Sequence, residues 1–507
     1  MEEVKGKLKR SGPTEKMSIR SLMEPLLVLF NKAVSDVLPG AEYYIAYSIP
    51  GGVYGYFKEK QLHSEDIKKL RYRLKDIIND NLSFKQEILP KEKIIRYFDL
   101  NNRSDILELL YSNHNNHDTD YNYHLAHLNG NGELFFNHVN ENYEKLNRFQ
   151  LFKYRKGFFL IADPDFYERV MSVRLELSKY LKRFEESEES MKQLGIESFH
   201  QLNEVISNGE LPEFIKISEA YQAKRTGRIA DNIVSHPLKP RLIFLAGPTS
   251  SGKTTSANRL AIELKVLGKK VLILSLDNFY LPHSKIPFDE ITGLQNFELI
   301  TALDIDLFRK TIKKLLAGEG VKLPTYHFDG KGATPAEKLT TITEDTYIIV
   351  EGIHGLNPDL WKEALDIDSY RLYVSALNTL NIHDHLPLST SDHRLIRRLV
   401  RDHLFRGYSF NETIKRWPDV MENEYHSIFP FQESAHAIFN SSLIYEIAVF
   451  SHYAPGILNE DLAENEIIKE EVRRLKRILG LLKPINPKDI PPTSILREFI
   501  GGSSFTY

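Results

Sequence analysis

Residues Gly247, Pro248, Thr249, Ser250, Ser251, Gly252, Lys253, Thr254 and Thr255 crowd two glycines, five hydroxyl side chains and a lysine into nine consecutive positions. Through Thr254 they fit G-x-x-x-x-G-K-[ST] without a gap, a pattern whose chemistry is phosphate holding. Successive backbone amides curl around an anion, and a following helix adds the partial positive charge of its N-terminus. Gly247 and Gly252 permit torsions and a close approach that a side chain would block. Lys253 reaches the outer phosphates as a point charge, and the Thr254 hydroxyl is placed to ligate magnesium.

Two acids and a cluster of arginines extend this chemistry. Asp277 in "LSLDNFY" and Glu351 in "YIIVEG" each end an apolar run. At the carboxyl edge of a parallel sheet a carboxylate can take a proton from an attacking hydroxyl or face a metal ion. In "HRLIRRLVRDHLFRGYSF", Arg394, Arg397, Arg398, Arg401 and Arg406 share one helix and its exit. Like charges three and four residues apart repel, so such density needs an anion or acids to relieve it. Beside a phosphate site it reads as a lid bringing guanidiniums to the developing charge.

The elements that must position these groups follow from local pattern. "RLIFLA", "KKVLILSLD" and "DTYIIVEGI" are continuous apolar strands separated by helical segments, which predicts a parallel sheet covered on both faces. The helix "TTSANRLAIELKVLG" leaves the loop, and Gly268 is placed to end it. Residues 18–163 read as an α+β domain, 164–236 as a helical linker, 237–475 as the α/β P-loop unit and 476–507 as a tail. Within the first block, "YYIAYSIPGGVYGYF" reads as two strands around a turn, "HSEDIKKLRYRLKDIINDN" as a helix capped by Ser64, and "FQLFKYRKGFFLIAD" as a hairpin.

Composition bounds the function. With 507 residues, 42% of them hydrophobic and 27% charged, the chain suits a globular protein of two or three domains. A formal net charge of -3 gives no global field for nucleic acid, and the absence of cysteine removes disulfides and thiolate chemistry. The polar opening "MEEVKGKLKRSGPTEK" lacks the apolar region of a secretory signal, and no apolar run reaches bilayer length, so the expectation is a cytoplasmic protein without membrane association.

Residues Leu242 to Ala448 resemble the uridine kinase (uridine–cytidine kinase) family, with "GPTSSGKTT", "SLDNFY", "NFELITALD", "LPTYHF", "VEGIHGL" and "RRLVRDHLFRG" in the family's order. The resemblance implies an ATP- and Mg2+-dependent kinase acting on a nucleoside 5′-hydroxyl, as in pyrimidine salvage. It implies Asp277 as the base and Thr254, Glu351 and Asp277 at the metal. Glu298 stands where the family grips the ribose hydroxyls with Asp. Arg398 matches a ribose contact, Arg401 and Arg406 the phosphate-facing lid, Tyr326 the aromatic beside the base, and Tyr280 lies near the sugar. The base readers depart: a gap-free count puts Lys331 where the family has histidine, and Arg416 maps to its glutamine. Two added cations keep open another hydroxylated acceptor: a sugar, polyol, phosphosugar or purine nucleoside.

The N-terminal block, through "GVYGYF" and "LHSEDIKKLRYRLKDIINDNLSF", resembles the domain ahead of the catalytic core of threonyl-tRNA synthetase. The helix "MEPLLVLFNKAV" carries no histidine, so the editing site cannot be assembled there. An RNA-binding regulator with a nucleotide switch is the alternative of another class, disfavoured by the acidic balance and by lid arginines that a switch does not need. His114, His117, His124, His127 and His138 lack the regular spacing of metal ligands and are expected on a surface loop and strand. The expected partner is thus a small-molecule acceptor, with a homo-oligomer left open.

Overall fold

The computed structural model describes residues 13–49, 51–80, 85–112, 122–128, 130–137, 143–164, 178–288, 295–327, 332–361 and 368–506. In the C-terminal half, a five-stranded parallel sheet has the order Ala437–Asn440, Ser369–Ser375, Leu242–Ala246, Thr346–Glu351, Lys270–Ser275. The two central strands, Leu242–Ala246 and Thr346–Glu351, are buried at every position, as mainly apolar strands covered on both faces are. Helices close the two faces. Ile229, Leu260 and Leu264 pack on one, and Phe279, Phe308 and Ile312 on the other.

The N-terminal half is α+β. Helix Pro13–Val37 and helix Ser64–Asn79 pack on an antiparallel sheet ordered Tyr43–Ile49, Gly52–Phe57, Gly157–Ile161, Gln150–Tyr154. A second antiparallel sheet joins Lys85–Leu89, Tyr123–Leu128 and Asn131–Leu134. The cap of helix Ser64–Asn79 falls one residue earlier than the sequence suggests. His63 is the extended cap residue and Asp66 returns a bond to its amide at 2.9 Å, leaving Ser64 as the first helical residue. Helices Ser178–Leu194, Phe199–Ser207 and Leu211–Val234 connect the halves.

The halves share cores. The far face of the first N-terminal sheet buries Tyr44, Tyr47, Tyr54 and Phe159 against Leu356, Tyr373, Leu377 and Ile428 of the other half. The hairpin Asn381–Pro387 reaches back, and its His385 stacks on Tyr43 at 3.8 Å while bonding Glu133 at 2.6 Å. The aromatic strands are therefore core. His124 on its strand bonds Arg477 at 2.9 Å, and His127 lies 3.6 Å from Glu87; His114, His117 and His138 lie outside the described residues.

Candidate active site

Strand Leu242–Ala246 delivers the chain into Gly247, where an added Cβ would meet the Val374 carbonyl oxygen at 2.0 Å. Only glycine fits there. The loop then passes through two left-handed residues, Ser250 (φ 60°) and Gly252 (φ 79°), before helix Lys253–Val266 begins. This turns successive amides into one concavity at the helix N-terminus. The helix ends at Leu267 with Gly268 left-handed behind it (φ 74°), the expected stop. Lys253 folds back to donate to the Pro248 carbonyl at 3.2 Å.

Strand register assembles the acids. Glu351 sits beside Leu245 on one side and Ser275 on the other, so all three occupy one rung at the carboxyl edge. Two residues beyond Leu245 lies Gly247, and two beyond Ser275 lies Asp277, whose amide donates to Ser275 Oγ at 3.3 Å. Asp277 is pushed up by the protein atoms that crowd water from around its carboxyl and held back by Lys253 and then Arg406. Glu351 is raised further, to about 7, by burial and then by Asp277. The buried Glu351 and the solvent-accessible Asp277 that raises it, both within the field of Lys253, form an oxygen-rich donor set of the kind hard divalent cations prefer, with Thr254 one step along the helix. Among the described residues no group of three His, Cys, Asp or Glu converges as a metal cage. A cation held mainly through phosphate oxygens needs fewer protein ligands.

The acceptor side is lined by aromatics. Tyr280 and Tyr326 meet edge to face at 5.6 Å, and the Asn278 side chain accepts from the Tyr326 amide at 3.1 Å. Tyr280 also lies within the field of Asp277 and Glu298, and Glu298 is raised by burial and then by Glu424, with Arg398 and Lys253 opposing. Asp277, Glu351, Lys253, Glu298, Tyr280, Tyr326, Arg398 and Arg406 are thus linked in one chain of contacts and fields.

The arginine segment divides in two. On helix Thr390–Arg401, Arg394 forms a bidentate pair with Glu424 (2.7 and 2.6 Å) and donates to the Thr249 carbonyl at 3.3 Å. Arg397 pairs with Glu446 and donates to the Ser250 carbonyl at 3.2 Å. Both are fully buried struts under the phosphate loop. Arg398, Arg401 and Arg406 instead converge on Asp402, at 3.2, 2.7 and 3.7 Å. Arg416 lies elsewhere, exposed on helix Phe410–Ser427 over the Tyr408 ring at 4.8 Å, and Lys331 is outside the described residues.

Sequence reasoning passed over several groups around the loop. Glu424 accepts from the Thr249 amide at 2.7 Å. Glu498, from the last turn of the chain, accepts from Thr255 Oγ1 at 2.6 Å and its amide at 3.2 Å, while Ile495 packs on Gly252. His354, in "VEGIHGL", is buried and pushed down to about 4 by burial and then by Lys253, so its imidazole is neutral at pH 7. Contacts made across tens or hundreds of residues leave no local pattern to find.

A glycine-bridged strand-to-helix loop, carboxylates on the neighbouring strand ends and a parallel sheet define a P-loop phosphotransferase architecture. The model for the phosphoribulokinase / uridine kinase family matches residues 242–448. Uridine kinase of Bacillus pumilus is 32% identical over 183 residues, covering 36% of this chain and 77% of its own. Uridine kinase of Staphylococcus haemolyticus is 30% identical over 181 residues, 36% of this chain and 77% of its own. Uridine-cytidine kinase B of Dictyostelium discoideum is 28% identical over 209 residues, 41% of this chain and 77% of its own. The chain belongs to the phosphoribulokinase / uridine kinase family, and ATP as phosphoryl donor is what that family implies. Among the described residues no helix is long and apolar enough to cross a membrane.

Proposed function

We propose that the protein phosphorylates the 5′-hydroxyl of a nucleoside, uridine or cytidine in the first instance, with Mg-ATP as donor. The observation that carries this is the shared rung of Leu245, Glu351 and Ser275, which sets Asp277 and Glu351 beside Lys253 and the phosphate loop. Asp277 accepts the acceptor's hydroxyl proton as its oxygen bonds to the γ-phosphorus, and the bond to the ADP oxygen breaks. Lys253 and the loop amides of residues 247–255 hold the phosphates. Thr254, Glu351 and Asp277 would hold Mg2+, which when bound neutralises the phosphate oxygens. Arg398, Arg401 and Arg406 close on the transferred group, and Tyr280, Tyr326 and Glu298 border the acceptor.

Acceptor choice is the finer question. Glu298 is half-buried and lies in the field of Arg398, which suits a sugar's hydroxyls, whereas Arg416 stands on an exposed surface. This supports a ribose-like acceptor and leaves base reading to other groups. For the N-terminal half, the likeness to the domain preceding the synthetase core is kept as a reading of sequence. Helix Pro13–Val37 has no histidine, so no editing activity is assigned. The working division remains 18–163, 164–236, 237–475 and 476–507, with a cytoplasmic location. ADP release across nucleosides, pentoses, phosphosugars and polyols, with Lys253→Ala as blank, tests the function. Turnover preferring uridine or cytidine is expected. Turnover only with a non-nucleoside acceptor overturns the nucleoside assignment.

A further inference from the structure

A cavity of about 300 Å3 lies between the two halves, and Asp277, Lys253 and Glu351 are not among the residues that line it. Its walls come from helix Pro13–Val37 (Met23, Glu24, Leu27), the facing ends of the first two strands (Ile49 and Val53 among them) and the start of the arginine helix (Thr390 to Asp392, with Arg394). Helix Phe410–Ser427 adds Trp417, Met421, Glu422 and Tyr425, and helix Glu466–Leu479 adds Glu471 and Arg474. The volume stands near the lower end of the roughly 300–1,000 Å3 that small-ligand sites occupy, and mainly apolar walls with a few polar groups are their usual build.

The lining states what it would hold. Trp417 is buried, yet its indole N–H finds no acceptor among the described residues, nor does the Thr390 hydroxyl a partner. A buried donor without an acceptor costs about 1–3 kcal/mol, a cost an acceptor on a ligand would remove. The charged lining groups are four carboxylates, Glu24, Asp392, Glu422 and Glu471, against two guanidiniums. Both guanidiniums are already engaged, Arg394 bidentate with Glu424 and Arg474 with Asp392 and Glu471. A phosphate would meet surplus negative charge and no uncommitted cation. Glu24 is raised by burial, although the Phe136 and Asn137 amides donate to it at 2.8 and 3.1 Å.

We propose that this cavity is a second small-molecule site, taking an uncharged or cationic heteroaromatic molecule that offers an acceptor to Trp417 Nε1 and donors to the carboxylates. The position makes it consequential. Pro248 of the phosphate loop lines the cavity. Arg394 stands over the Trp417 ring at 5.3 Å, and it and Glu424 hold the Thr249 carbonyl and amide. A ligand against Trp417 therefore touches the strut that shapes the loop. The proposal does not depend on which acceptor the kinase site takes.

The test uses the full chain carrying Trp361→Phe. The sequence has two tryptophans, so this leaves Trp417 as the only indole reporter. Free nucleobases, nucleosides and aromatic amines are titrated up to millimolar concentration, with ATP, UTP and CTP as anionic controls. Expected is saturable quenching by at least one uncharged or cationic probe, which a saturating Mg-ATP analogue does not abolish. It should weaken at least tenfold in Ser391→Phe, which fills the cavity from the helix start. Trp417→Phe, measured by calorimetry, removes the indole N–H together with its five-membered ring and should weaken the same probe severalfold even if Ser391→Phe fails to fold. No quenching by any probe, binding abolished by the Mg-ATP analogue, or triphosphates binding in preference would each overturn the proposal.

Discussion

Replacing Glu351 with glutamine separates two consequences of one buried carboxyl. In the fold it titrates near 7, against 4.5 unperturbed, because burial and then Asp277 disfavour its charge. A folded value above the unfolded one contributes stability that is fully present below the unfolded value and lost as pH rises through the folded value. Ionising Glu351 in the ligand-free protein therefore costs about 3 kcal/mol above pH 8 and roughly 1 kcal/mol at pH 5.5. Glutamine can keep the hydrogen bond with Ser275 and carries no charge at any pH. With a chelator present, Glu351→Gln should melt several degrees above the parent at pH 8.5 and match it near pH 4.5. Its Mg-ATP turnover should fall by orders of magnitude. Parallel melting curves across pH would refute the burial argument, and full turnover would remove Glu351 from the metal site.

Lys253→Ala should abolish turnover while circular dichroism stays unchanged; near-normal rates would contradict the phosphate-loop assignment. Asp277→Asn should keep ATP binding by calorimetry and lose about 10²–10⁴-fold in rate, the contribution of a positioned base. Glu498→Ala removes a carboxylate from the amide of Thr255, where phosphate oxygens would compete, so affinity for an ATP analogue should rise; a fall would show the tail supports binding instead. Arg397→Ala leaves Glu446 buried without its guanidinium and should cost about 3–5 kcal/mol in unfolding, whereas Arg406→Ala should leave melting nearly unchanged and lower the rate.

The phosphate loop was legible because its requirements are local. A glycine must approach Val374, another must turn left-handed, and a lysine must open a helix, all within a few residues. The parallel sheet was legible for the same reason, since fully apolar strands mean two covered faces. The cap at His63 was missed because the side chain that satisfies it, Asp66, is read only once the turn is built. Arg394 and Arg397 were grouped with the lid because periodicity places five arginines on one element. It does not tell which will meet Glu424 and Glu446, 30 and 49 residues away. Residues 476–507 read as a tail, yet Ile495, Leu496 and Phe499 are buried and Glu498 reaches Thr255.

The arginines show how one helix serves both the fold and the chemistry. Toward its start the positive charges are matched one to one, Arg394 by Glu424 and Arg397 by Glu446, and these pairs fix the Thr249 and Ser250 carbonyls from beneath. Toward its exit three guanidiniums share Asp402, at the π-turn Asp402–Arg406 that Gly407 ends with φ 67°. One carboxylate cannot neutralise three cations, so this end keeps a surplus of positive charge facing Asp277 and Glu298, where Arg406 and Arg398 exert their fields. In a partly desolvated site such a surplus is unfavourable until an anion arrives. Phosphoryl transfer supplies that anion at its most highly charged, so the imbalance that strains the ligand-free segment is the one that a transition state would relieve.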